Sequence, residues 1–334
     1  MKSRKKIMRK QLSKAGLAYF KEGAVDLINP KQTVNEQAKY LPYDKKLEFF
    51  REKLKLGEQL GSGAFGVVVK AETFGICTTE PVTIVAVKVV HENAERVYYH
   101  AFVRELKIMM NLGQHLNVAQ NSNDSIQFRS ASYSDDLQTS WHSNYEGNYQ
   151  NWNAECICSH DLLSWAYQVA HGIKYLSRRN DLHCDLAARN ILLSTNNIVK
   201  ICDFGLAQTL YKDINYTRLH DVKLPYKWMT IEYLRDGVFS TKSDIWSFGI
   251  LIWEFFTFAE TPYPGMQASV VYEKLIDGYR MGQPRYATRY LYNIMLNCWE
   301  DEPTLRRSFT KLSKNIGMLL DKSTRMHFEK LYQE

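Results

Sequence analysis

From Leu54 onward, apolar and polar residues alternate around Gly61, Gly63 and Gly66, and the pattern runs on through Val67-Val68-Val69. A period of two marks strands, because successive side chains point to opposite faces. Thr83-Ile84-Val85-Ala86-Val87-Lys88-Val89-Val90 reads as another strand, rich in the β-branched residues that suit a pleated surface. The period then becomes helical over about Ala94 to Leu112, with Phe102, Leu106, Met109 and Met110 on one face. Ahead of these elements, residues 1–50 show no sustained period and read as an extended tail.

Residues 119–155 differ in kind. They are rich in Ser, Asn, Gln, Tyr and Asp, and Ile126 and Leu137 are their only sizeable aliphatic residues. Such a stretch buries too little surface to offset its chain entropy, which predicts a loop. Helical periods return from Leu162 and dominate to the end, broken by Gly and Pro around Thr261 to Gly265. The layout predicts an α+β chain with a small strand-rich lobe over 54–118 and a polar loop over 119–160. A larger helical lobe over 161–320 and a tail over 321–334 complete it.

Composition narrows the class. Hydrophobic residues make up 45% of the 334, enough for a core. The most apolar window, Gly249 to Phe258, is short and carries Glu254, so it predicts a buried helix rather than a membrane span. Six scattered cysteines form no C-x-x-C pair, which argues against a disulfide framework or zinc site and fits a reducing compartment. Lys2, Arg4, Lys5, Lys6, Arg9, Lys10 and Lys14 concentrate charge at the start, and their sum equals the formal net charge of +7 for the whole chain. A polybasic end suits nucleic acid or an anionic lipid surface, and a solvated tail is the plainer reading.

The chemistry sits in four places. Gly61-Ser62-Gly63-Ala64-Phe65-Gly66 with Val68 gives G-x-G-x-x-G-x-V. A dinucleotide site would run from strand into helix, whereas Val67-Val68-Val69 continues as a strand, which favours a glycine hairpin folded over phosphates. Val85-Ala86-Val87-Lys88 ends a strand with a lysine, and Glu105 follows on a helix, able to pair with it. His183-Cys184-Asp185-Leu186-Ala187-Ala188-Arg189-Asn190 is followed by Asp203-Phe204-Gly205. Phosphoryl transfer needs one carboxylate to orient a hydroxyl, for which Asp185 is suited, and oxygen ligands for Mg²⁺, for which Asn190 and Asp203 are suited.

With these motifs in order, the chain resembles the protein kinase family from about Leu54 to Phe309, apart from the polar stretch. The resemblance implies the two-lobed kinase fold, ATP and Mg²⁺ as cofactors, and catalytic roles for Asp185, Arg189, Lys88 and Glu105. It implies nucleotide contacts from Leu60, Gly61, Gly63, Gly66, Val68, Ala86, Lys88 and Leu192. Leu186-Ala187-Ala188-Arg189-Asn190 and Leu224-Pro225-Tyr226-Lys227-Trp228-Met229 resemble tyrosine kinase loops. Leu41-Pro42-Tyr43-Asp44-Lys45-Lys46, Arg51 to Gly57 and Gly113-Gln114-His115-Leu116-Asn117-Val118 are similar to the platelet-derived and vascular endothelial growth factor receptor group. An invertebrate member of that group is the expectation. Residues 1–53 then read as a juxtamembrane segment beside inner-leaflet lipid at the cytoplasmic face of the plasma membrane, with no nucleic-acid role. Tyr216, Tyr43 and Tyr149 are the implied phosphorylation positions, and Tyr149-Gln150-Asn151 suits SH2-type adaptors. Tyrosine-bearing protein substrates and a receptor dimer are the further implied partners. Asp244 is expected to hold the catalytic loop, and Glu232 to pair with Arg306.

Three departures from the family pattern stand out. Cys184 replaces the arginine that reads activation-loop phosphate, which weakens the control expected from Tyr216. Thr230-Ile231-Glu232 replaces Ala-Pro-Glu, and Arg307-Ser308 stands where Pro-Thr is common. After Val118 the family continues with two strands, the adenine-binding hinge and a short helix, and the polar stretch resembles none of them. The small lobe is therefore expected to lack the middle of its sheet. Two readings stay open: an active tyrosine kinase, and a catalytically impaired docking or dimerisation module.

Overall fold

A computed structural model describes residues 23–29, 32, 34–43, 49–63, 66–75, 81–90, 96–119, 157–204 and 225–333. The polybasic start, the bulk of the polar stretch and residues 205–224 lie outside the described residues. So do Tyr149 and Tyr216, two of the implied phosphorylation positions.

Three strands form an antiparallel sheet in the order β1-β2-β3, with β1 at Leu54–Gly63, β2 at Gly66–Phe74 and β3 at Val82–Val90. The glycine hairpin joins β1 to β2, with Gly63 opposite Gly66 and Gly61 opposite Val68. Gly66 has a packing reason: a Cβ there would lie 2.1 Å from the main-chain oxygen of Val89 on β3. At Gly61 a Cβ would meet nothing within 4 Å. Among the described residues no strand follows β3 in this sheet.

Helix α1, Arg96–Asn111, follows the sheet. The apolar face read from the sequence is corrected here. Phe102, Leu106, Met109 and Met110 are only half-buried, while Glu105, Lys107, Ile108 and Leu112 are buried. The helix is covered on two sides, which a single apolar stripe does not reveal. The second cover is the N-terminal segment, and this corrects the extended tail. The described residues between 23 and 43 fold back through short turns, with Ala24 N donating to Tyr40 O at 2.9 Å. Ala38 and Leu41 enter the same core as Ile108 and Leu112. Lys107 Nζ donates to Lys39 O at 3.0 Å, and Asn111 Nδ2 to Pro42 O at 3.1 Å.

The large lobe is built on α2, Ser159–Arg178, and α4, Thr241–Phe256. Helix α2 begins slightly before the boundary read from composition, because Cys158 caps it: its N–H donates to Asp161 Oδ2 at 3.0 Å. Helix α4 holds most of the apolar window of the sequence and is buried from Ser243 to Phe256. No described helix is long and apolar enough to cross a membrane. Between them a hairpin of β4, Ile191–Leu193, and β5, Val199–Ile201, carries the loops of the site. Around this core lie α3, Ile231–Asp236; α5, Ala268–Ile276; α6, Arg289–Cys298; α7, Phe309–Gly317; and α8, Lys322–Leu331. Arg306 is wholly buried and meets Glu232 with two bonds of 2.6 and 2.9 Å.

Candidate active site

Lys88 leaves β3 opposite Val68, two residues beyond Ala86 on the same strand face. Its ammonium lies 3.1 Å from both carboxylate oxygens of Glu105 on α1 and forms an ion pair with Asp203. Burial alone would lower the Lys88 pKa, but the charges of Glu105 and Asp203 outweigh it and the group is raised. Burial likewise pushes Asp203 upward, and Lys88 overcomes this and holds its carboxyl below the usual value. Glu105, only 4% exposed, is raised to about 8 by burial, with Lys88 pulling the other way. Three groups far apart in sequence thus meet where sheet, helix and β5 converge.

Asp185 lies in the loop between α2 and β4. The loop is suspended from Asp244 of α4, whose two oxygens accept from the N–H groups of His183 and Cys184, each at 2.9 Å. His183 in turn spans to Cys202 O at 2.9 Å and meets the ring of Phe204 edge-on. Phe204 is buried in the core, while the Asp203 side chain is 38% exposed. Cys184 (φ 66°) and Asp203 (φ 61°) both occupy the left-handed region that non-glycine residues rarely adopt. Backbone of this kind persists only where the surroundings over-determine it, and it clusters at functional sites.

Asn190 Nδ2 donates to the Asp185 main-chain oxygen at 2.7 Å and to its carboxylate at 2.9 Å. That use of the nitrogen leaves the amide oxygen as the end able to meet a cation. With the ionised carboxylate of Asp203, this makes a hard oxygen donor pair of the kind Mg²⁺ takes, so the residues fit the metal. Arg189 pairs with Asp185 and lies over the ring of Trp228, 4.5 Å from its centre. Leu192, on β4 two residues past Asn190, faces Lys200 across the hairpin, and Leu60 is part-exposed on β1 next to Gly61.

One participant was visible in the sequence only as an oddity. Glu254, the lone acid of the apolar window, accepts from Trp228 Nε1 at 2.9 Å and from Ala188 N at 3.0 Å. It therefore joins the catalytic-type loop to the segment carrying Trp228, and burial raises its pKa. Cys184 is 6% exposed beside Leu182 and packs on Phe239, the surroundings of a structural thiol. The thiol of Cys202 is raised well above its usual value by burial, with Asp203 adding to this, which argues against a nucleophile there.

Residues 54–316 match the protein tyrosine and serine/threonine kinase family. The chain is 38% identical to vascular endothelial growth factor receptor 1 of Mus musculus over 355 positions, covering 86% of this chain and 26% of the relative. It is 35% identical to vascular endothelial growth factor receptor 2 of Coturnix japonica, covering 96% and 29%. The chain thus spans between a quarter and a third of the length of these relatives. An alignment of 355 positions is longer than the 334-residue chain, so the relative holds stretches that this chain lacks.

Proposed function

Because the chain belongs to the protein tyrosine and serine/threonine kinase family, we propose that it transfers the γ-phosphoryl group of ATP to tyrosine hydroxyls of proteins, as the kinase portion of a growth-factor receptor. The observation that carries this reading is the meeting of Lys88, Glu105 and Asp203 next to the Asp185–Asn190 pair. Asp185 orients the acceptor hydroxyl and takes its proton as that oxygen bonds to phosphorus and the bond to ADP breaks. Arg189, held by Trp228, keeps Asp185 oriented. Lys88, steadied by Glu105, meets the α- and β-phosphates, and the hairpin around Gly61 and Gly63 offers main-chain N–H groups. Leu60, Val68, Ala86 and Leu192 contact the base and sugar. Asn190 and Asp203 would hold Mg²⁺, which would supply positive charge to neutralise the phosphates.

The receptor relatives extend the proposal. The basic start lies against anionic inner-leaflet lipid, the kinase works as a receptor dimer at the plasma membrane, and phosphorylated Tyr43, Tyr149 and Tyr216 recruit SH2-type adaptors or tune activity. The test is direct. ATP with Mg²⁺ should raise the melting temperature as RT ln(1 + [L]/Kd) prescribes, and a tyrosine peptide should be labelled in preference to its serine analogue. Asp185→Asn should abolish labelling while keeping the ATP shift. No shift at millimolar ATP would remove the enzymatic reading, and labelling by the Asn variant would trace the activity to a contaminant.

A further inference from the structure

Tyr332 reaches Asn117, whose main chain pairs with the strand that leads to Asp203. Helix α8 is fixed at its start by Asp321, which accepts from Thr324 N at 2.9 Å and meets His160 of α2 at 2.6 Å. Phe328, with no exposed surface, anchors its middle. Just past the helix, Tyr332 lays its ring on His171 of α2, with centroids 4.2 Å apart and planes within 4°. Its hydroxyl donates to Asn117 Oδ1 at 2.7 Å.

Asn117 is wholly buried, and its polar atoms are engaged on every side. Nδ2 donates to Gln168 Oε1 at 3.0 Å and to Val199 O at 2.9 Å. Its main-chain oxygen accepts from Ile201 N at 2.9 Å, and Ala119 N donates to Ile201 O at 2.8 Å. Residues 117–119 thus pair with one edge of β5 while β4 pairs with the other. From Ile201 the chain passes through Cys202 straight to Asp203. The packing leaves no slack: a Cβ at Gly172 of α2 would lie 2.6 Å from Ile201 Cδ1 and 3.1 Å from Asn117 O.

We propose that Tyr332 is a positioning residue for Asp203, acting through Asn117 and β5. An amide can flip, and the two ends differ only in donating or accepting. The Val199 carbonyl, which only accepts, requires Nδ2 on its side, and the Tyr332 hydroxyl satisfies the buried Oδ1 that this orientation leaves facing it. The flipped amide would set oxygen against oxygen at Val199. The C-terminal helix therefore sets the edge that aligns the metal-binding aspartate. The inference rests on Asp203 serving as a metal ligand.

Tyr332→Phe in the full chain keeps the ring on His171 and removes only the hydroxyl. Loss of one such bond should speed hydrogen exchange at the Ala119 and Ile201 amides about threefold to tenfold, leaving the amides of α4 unchanged. The Mg²⁺ concentration for half-maximal peptide labelling should rise by a similar factor, with the peptide KM unchanged. His171→Phe, which retains the hydroxyl, should leave both readouts at the parent values. A Tyr332→Phe variant with a lower melting temperature but parental exchange at these amides, or a parental Mg²⁺ response, overturns the proposal. If the parent chain labels no peptide, the kinase reading fails instead, and the exchange measurement alone decides this inference.

Discussion

Gly61 and Gly66 belong to one motif, yet different forces require them. At Gly66 the main chain of β3 approaches so closely that a methyl group would strike the Val89 oxygen at 2.1 Å, and backbone atoms cannot rotate away. Gly66→Ala should therefore cost stability, about 1–3 kcal/mol from overpacking, read as a lower urea midpoint. Nothing of the protein lies near a Cβ at Gly61. Gly61→Ala should stay within about 0.5 kcal/mol of the parent yet weaken ATP binding, because the proposed function places the phosphates in the space it fills. The motif was legible in the sequence, but this division of labour was not. It depends on how near β3 comes to the hairpin.

Among the elements, α1 shows most clearly why a periodic pattern can mislead. Glu105 and Lys107 lie on opposite sides of it, one toward Lys88 and one toward Lys39, so polar residues are buried on both sides and the apolar stripe is blurred. The N-terminal segment supplies the second cover through Ala38 and Leu41. Leu41→Ala should destabilise by about 2–5 kcal/mol, the range for truncating a buried leucine, measured by chemical unfolding. A change near zero would mean that the segment does not pack on α1 in solution. The ion pair of Glu232 and Arg306 was readable from the family pattern. With the Arg306 side chain wholly buried, Glu232→Gln should cost about 3–5 kcal/mol through the charge left without its counterpart.

At the scale of the whole molecule, two histidines make the joint between lobes and C-terminal helix sensitive to acid. Burial lowers His171 to about 3, with Lys174, His115 and Arg178 adding to this, and lowers His115 to about 4, with Lys200 adding. Both folded values lie below the ordinary 6.5, so the unfolded chain binds more protons between about pH 3 and 6.5. Stability from these groups is complete above pH 6.5 and is lost as pH falls. Asp181, raised to about 6 by burial, and Glu105 work in the opposite sense. The comparison should therefore be made between the parent and His171→Phe. The parent should lose stability relative to the variant between pH 7 and pH 4, and parallel profiles would contradict the assignment.

The sequence by itself determined the order of the chemical groups, the strand and helix lobes and the family resemblance, because glycine spacing, strand period and the Asp185–Asn190 loop are local properties. It marked the polar stretch after Val118 for the same reason, since composition alone sets how much surface a segment can bury. Only the tertiary structure decided what meets over long separations. It brought the N-terminal segment against α1, Glu254 between two loops, and Tyr332 onto Asn117. These contacts are made by single buried polar atoms and by close backbone approach, which leave no period in the sequence and exist only once the elements have packed.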